Sequence, residues 1–189
     1  RKILTILCFA ILFVGCKNQT KSENKETQNQ QVRPTKKKVL SPHATAMTMI
    51  GDAHIHMDYS SPGVRDGINF RGLLEYDAVW QAGAHNATWL ETNKDLMIDG
   101  KTLPAGKYGF FTIPSKEEWI LIFNNNWEQH GKDEYNAKED VLRFKVKPII
   151  SDATTEHLIY KVKKTNVNEG TISLAWEKVI VDFNITVKQ

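Results

Sequence analysis

The chain has 189 residues and a mass of 21.6 kDa, with 41% hydrophobic and 25% charged residues. That length holds one domain with spare chain and can bury a core without disulfide or metal staples. The composition excludes a polytopic membrane protein, a collagen and a wholly disordered chain. The formal charge of +3 is unevenly placed: residues 1–38 carry nine Lys and Arg against two Glu, a net +7, while 39–189 carry 16 against 20, a net −4. The basicity belongs to a tail, and the body has no electrostatic footprint for nucleic acid.

Arg1-Lys2 form a basic n-region, residues 3–14 an apolar run, and Gly15-Cys16 a small residue followed by a cysteine. The n-region reading expects an initiator Met before Arg1. The apolar run is shorter than the roughly 20 residues a transmembrane helix needs. Leu12-Phe13-Val14-Gly15-Cys16 resembles a lipobox, the bacterial lipoprotein signal, with Phe13 where Leu is usual. On this reading 1–15 is a signal peptide, Cys16 takes the lipid, and Cys8 leaves with the signal, so no disulfide forms. Residues 16–38 are then the lipidated Cys and a flexible polar tether. With Val32 as its one aliphatic side chain, the tether buries too little surface to offset its ordering entropy.

From residue 39 onward short alternating apolar runs are punctuated by Gly, Pro, Asn and Asp. Ala53, Ile55, Met57 and Tyr59 alternate with polar neighbours, the period of a half-buried strand. Similar runs fall at 45–50, 87–92, 108–113, 118–124, 141–147, 156–163, 171–176 and 179–187. Asp99-Gly100 after Leu96-Met97-Ile98 predicts a hairpin, and Asn168-Glu169-Gly170 another. Ile172, Leu174 and Trp176 share one face, while Val179, Val181, Phe183, Ile185 and Val187 have the opposite parity, so a turn or bulge is expected at Glu177-Lys178. Residues 70–80 are the best short helical candidate, one or two turns. The expectation for 39–189 is a single all-β domain, a two-sheet antiparallel β-sandwich or jelly roll of about nine to ten strands with little helix. The Gly-rich, poorly alternating 61–86 is a long irregular segment of the kind that carries function.

Phosphate-binding loops, nucleophile elbows and the HExxH zinc motif are absent from the sequence, and no recognisable catalytic motif remains. Four of the six histidines fall within 43–85. His54 and His56 lie two apart on a predicted strand and point the same way, roughly 6.5–7 Å apart at Cα. Imidazoles so spaced can converge on zinc or copper, with His85 as third ligand and His43 or His130 as further candidates. Asp58 continues that face and is placed to orient the rings. Met47, Met49 and Met57 would suit copper, since thioethers are soft ligands, although Met57 points to the opposite face. Against this stands the plainer reading, in which the histidines lie on the solvated face of a strand. A Ser60–His–Asp58 triad is disfavoured, because same-face neighbours on one strand rarely give triad geometry. Trp127, after Asn124-Asn125-Asn126 and before a polar loop, is a candidate stacking platform for a ligand, or a cap on the sandwich end.

Several phrases occur together: Ser41-Pro42-His43-Ala44, Asp58-Tyr59-Ser60-Ser61-Pro62-Gly63-Val64, Val79-Trp80 with Gly83-Ala84, Leu103-Pro104-Ala105-Gly106-Lys107-Tyr108 with Phe111-Thr112-Ile113-Pro114, and Val141-Leu142-Arg143 with Val146-Lys147-Pro148. They resemble a family of bacterial envelope proteins, "domain of unknown function 2911", over about 39–189. The resemblance implies a β-rich domain, often behind a lipoprotein or secretory signal, and no reaction, substrate or catalytic residue. Many members carry an Arg and a Glu within the stretch that here reads 80–88, where this chain instead has His85. Its His54-x-His56, His85 and Gln129-His130 pattern is similar to a His-bearing subgroup.

Taken together, the expectation is a cell-envelope protein held to the membrane through its N-terminal lipid, facing the periplasm or the surface, with the outer membrane preferred. It is expected to be a binding module for a small-molecule, glycan or protein ligand, with no nucleic acid. A His-based metal protein using His54, His56 and His85 is the alternative, and a purely structural envelope component the second alternative. The binding reading expects a concave site formed by Trp and 61–86; the metal reading expects converging imidazole nitrogens.

Overall fold

Glycine and aspartate open the first hairpin. β1 (His43–Ile50) and β2 (Ala53–Ser60) are joined by Gly51-Asp52, with Gly51 in the left-handed region at φ +59°. The register runs without slip from Ile50 opposite Ala53 to His43 opposite Ser60. In this computed structural model the described residues are 39–65, 67, 69, 70 and 74–189. The apolar run, Cys8, Cys16 and the tether lie outside them.

The chain continues through β3 (Trp89–Thr92), β4 (Leu96–Ile98) and β5 (Lys101–Leu103). Asp99 and Gly100 both have positive φ, 50° and 71°, the signature of the primed turn that the sequence predicts there. β6 (Gly106–Ile113), β7 (Trp119–Asn124) and β8 (Asp140–Val146) follow, then the long β9 (Ile149–Lys164) and β10 (Glu169–Val187). They form two sheets of antiparallel pairs, six-stranded β1-β2-β3-β6-β7-β8 and four-stranded β5-β4-β10-β9. This is the all-β sandwich expected from the alternation. The one helical element among the described residues is a single 3-10 turn, Ala137–Glu139. No described helix is long and apolar enough to cross a membrane.

The core lies between the sheets. From β2, Ala53, Ile55, Met57 and Tyr59 point inward; from β10, Ile172, Leu174, Trp176, Val181, Phe183 and Ile185 meet them. β10 is one strand where two runs were expected, and the change of parity is a bulge. Its register with β9 shifts on both sides of Glu177, whose φ is +55°. A second, smaller cluster of Ala87, Phe111 and Ile122 lies on the other face of β6 and β7, packed by Val79 and Tyr135. The outer face of the large sheet is therefore covered over β6–β7 and open over β1–β2.

Residues 71–73 lie outside the described residues, and the described part of 70–80 shows no helix. Among its described residues Phe70 and Leu74 form a β-bridge, and Trp80 pairs with Thr112 through hydrogen bonds of 2.8 and 2.9 Å. Its large apolar residues are consumed by the core instead: Phe70 and Trp80 pack edge-on to Trp119, and Trp80 stacks on Trp176 with ring centres 5.5 Å apart.

Candidate functional site

Past Ser60 the chain leaves β2 and ties itself to β9 of the other sheet. Val64 N–H donates to Glu156 O, Leu158 N–H to Pro62 O, and the buried Ser61 hydroxyl to Leu158 O at 2.7 Å. The β10 bulge supplies the next anchor. It turns Glu177 so that its carboxylate accepts from the backbone N–H of Asn69 at 3.1 Å and of Phe70 at 3.4 Å. A bulge that re-aims one side chain in this way is a common neighbour of binding sites. Further on, Ala82 O accepts from Tyr160 OH at 2.7 Å and from Thr88 Oγ1 at 3.0 Å. Burial pushes the Tyr160 hydroxyl well above its ordinary pKa, so it holds its proton and remains a donor. Gly83 must be glycine, because a Cβ there would lie 2.6 Å from Thr88 Oγ1.

These anchors hold the described part of 61–85 around a cavity of about 420 Å³, lined among others by Val64, Arg65, Asn69, Leu74, Trp80, Gln81, His85 and Trp176. Among the described residues, four of the six non-glycine residues with positive φ fall in this segment: Arg65, Asp77, Ala82 and His85. Such strain persists where surrounding structure enforces it, and it concentrates at functional sites. The polar wall is donor-rich. Arg65 Nη2 donates to Leu40 O at 2.9 Å, and its backbone N–H donates to Glu156. Asn69 Nδ2 and Trp176 Nε1, on residues only 4% and 1% exposed, have no hydrogen-bond partner among the described residues. Trp80, stacked on Trp176, is satisfied, its Nε1 donating to Gly83 O at 3.0 Å.

A second cleft, of about 400 Å³, is lined by Asn86, Trp89, Trp127, Gln129, His130 and Glu134 among others. Gly109 lets the 126–127 backbone lie on β6, since a Cβ would come within 3.0 Å of Asn126 O and 3.2 Å of Trp127 Cα. Between the two indoles stands Lys107, its ammonium 3.6 Å from both ring centres. Trp127 thus lines a cleft, and a cation of this chain already sits on the aromatic surface.

The histidines are distributed over separate places. His54 and His56 share the outer face of β2, with ring centres 5.9 Å apart. His85 lines the first cavity, while His130 lines the second cleft with its Nδ1 3.2 Å from Asp133. His43 Nε2 stands 2.7 Å from the Asp58 carboxylate, so Asp58 serves His43 and not the 54–56 pair. Among the described residues no three His, Cys, Asp or Glu side chains form a metal-holding group. Arg65, Asn69 and Trp176 were not singled out from sequence. Asn69 and Trp176 line the same cavity although distant in sequence, Asn69 being tied by its backbone N–H to Glu177 across 108 positions, and the parity change at Glu177 is the one local signal that points toward them.

Fold and site define a class: a two-sheet antiparallel β-sandwich with a strained, loop-walled cavity beside a bulge. The chain belongs to the family described as "Protein of unknown function (DUF2911)", whose model matches residues 41–185. No curated protein and no solved structure matches the chain.

Proposed function

We propose that the protein is a lipid-anchored cell-envelope binding module that holds a small acceptor-bearing ligand, a carboxylate or carbonyl compound, in the cavity lined by Val64, Arg65, Asn69, Leu74, Trp80 and Trp176. One observation carries this reading: two donors, Asn69 Nδ2 and Trp176 Nε1, stand buried with no partner among the described residues, in residues of the same cavity wall. An unpaired buried donor costs about 1–3 kcal/mol, so two in one wall call for an acceptor that completes them. Arg65 supplies positive charge on that wall, and Leu74, Val64 and the indoles supply apolar surface. The Trp127 cleft is the weaker candidate, because Lys107 occupies the faces on which a ligand would stack. The anchor rests on Leu12-Phe13-Val14-Gly15-Cys16 alone.

The test is a thermal-shift titration of the full chain with small mono- and dicarboxylates and neutral carbonyl compounds. At least one should raise the melting temperature saturably, by the equivalent of about 2.7 kcal/mol at 100 times Kd. Arg65→Ala should weaken the effect for carboxylates. Absence of any shift across the panel refutes the site. Cys16→Ala should abolish incorporation of labelled palmitate in cells; unchanged labelling refutes the anchor.

A further inference from the structure

The outer face of the first hairpin carries an arrangement that the cavity does not use. The register places Met47 directly opposite His56 and Met49 directly opposite His54. All four alternate outward: His54 is exposed and His56 half-buried, and the methionines are 55% and 52% exposed. Directly opposite residues on one face of an antiparallel pair have Cβ atoms about 4.5–5.5 Å apart. Two thioethers and two imidazoles therefore form the corners of one small quadrilateral. Single exposed apolar residues need no explanation. Two side by side on a strand, each facing an imidazole, form a pattern.

We propose that Met47, Met49, His54 and His56 form a binding site for a cuprous ion. Thioethers are soft donors and select Cu(I), while imidazole suits copper as well as zinc. Two imidazoles bound to one ion at about 2.0 Å per nitrogen have ring centres about 5–6 Å apart, and the observed separation is 5.9 Å. His56 Nε2 is shielded from solvent and has no hydrogen-bond partner among the described residues, and the His56 ring is held edge-on to Trp89 with ring centres 4.9 Å apart. The Asp58 carboxylate is engaged by His43 and leaves both rings free of a carboxylate clamp. Methionine has three rotatable bonds, so Met47 can swing its sulfur over His56 without moving the strand. Zinc would need a further nitrogen, oxygen or thiolate ligand, which His85 in its separate cavity does not supply. The Met–His set instead offers four donors for a soft ion.

The experiment uses the full chain carrying Cys8→Ser and Cys16→Ser, so that no thiol competes, under anaerobic conditions. Cu(I) is supplied as its bicinchoninate complex, and transfer to the protein is read from loss of the complex's colour. One ion per chain should transfer. Met47→Ile with Met49→Ile should weaken binding at least tenfold, and His54→Ala with His56→Ala should abolish it; circular dichroism of these surface variants reports that the fold is kept. X-ray absorption should show both sulfur and nitrogen scatterers. Transfer unchanged in the double-Met variant, a shell with no sulfur, or an ion retained when all four residues are replaced would each overturn the proposal.

Discussion

Two stacked tryptophans provide an internal control for the cavity. Trp80 and Trp176 are both buried, at 4% and 1% exposure, and their rings stack 21° from parallel. Their indole N–H groups differ: Trp80 Nε1 donates to Gly83 O, whereas Trp176 Nε1 has no partner among the described residues. Replacing either by Phe deletes the same atoms, so the transfer and cavity costs, the latter about 24 cal/mol per Å³ of void, largely cancel in the comparison. What remains is the hydrogen bond. Trp176→Phe relieves an unpaired donor worth about 1–3 kcal/mol, and Trp80→Phe gives up a bond worth about 0.5–1.5 kcal/mol. Trp80→Phe should therefore be the more destabilising of the two by about 1.5–4.5 kcal/mol. For a domain of this size that separates the melting temperatures by between about 3 and 18 °C. Urea unfolding of the full-chain variants, with unchanged slope, is the assay. Equal destabilisation by the two substitutions would show that the Trp176 N–H is not an unpaid cost, and the binding argument built on it would fall.

Two other expectations concern the same framework. Burial raises the Tyr160 hydroxyl well above the usual value of about 10, and burial also raises Tyr108 and Tyr135. The unfolded chain releases these protons first, so their contribution is fully present below about pH 10 and is lost as pH rises beyond it, by about 1.4 kcal/mol per pH unit for Tyr160. Denaturation followed from pH 8 to 11.5 should show this fall, and Tyr160→Phe should flatten it; an unaltered slope would contradict the assignment. Gly109→Ala should destabilise by about 1–3 kcal/mol through overpacking, since its Cβ would meet Phe111 at 2.7 Å and Asn126 O at 3.0 Å. It should also change tryptophan fluorescence by moving Trp127 from Lys107, and a wild-type spectrum and stability would disprove that packing.

Much of the architecture was legible in the chain because a pleated strand with one buried face writes its geometry as alternation. Ala53, Ile55, Met57 and Tyr59 in β2 point inward as their spacing requires, and Asp99-Gly100 turns as its chemistry requires. Even the bulge at Glu177 was visible as a change of parity between Trp176 and Val179. For the described part of 70–80 the local pattern is ambiguous, because aromatic and aliphatic residues at irregular spacing fit a short helix as well as a core-anchoring loop. The choice was made by Thr112, which pairs with the Trp80 backbone, and by Trp119 and Trp176, which take its rings.

The candidate sites divide in the same way. His54 and His56 share a face by the period of the strand, which is local and readable. Their meeting with Met49 and Met47 depends on the register set by Gly51-Asp52, one step beyond the strand itself. The cavity was foreshadowed only as an irregular, glycine-rich stretch. Asn69 and Trp176 come from distant positions and line one cavity, beside which the Glu177 carboxylate, turned by the bulge, accepts from the Asn69 and Phe70 amides. Alternation fixes which side of a sheet a residue takes, since that is a matter of neighbouring residues and water. Which loop crosses that side, and which buried N–H is left without a partner, is decided by contacts between sheets that only the folded chain brings together.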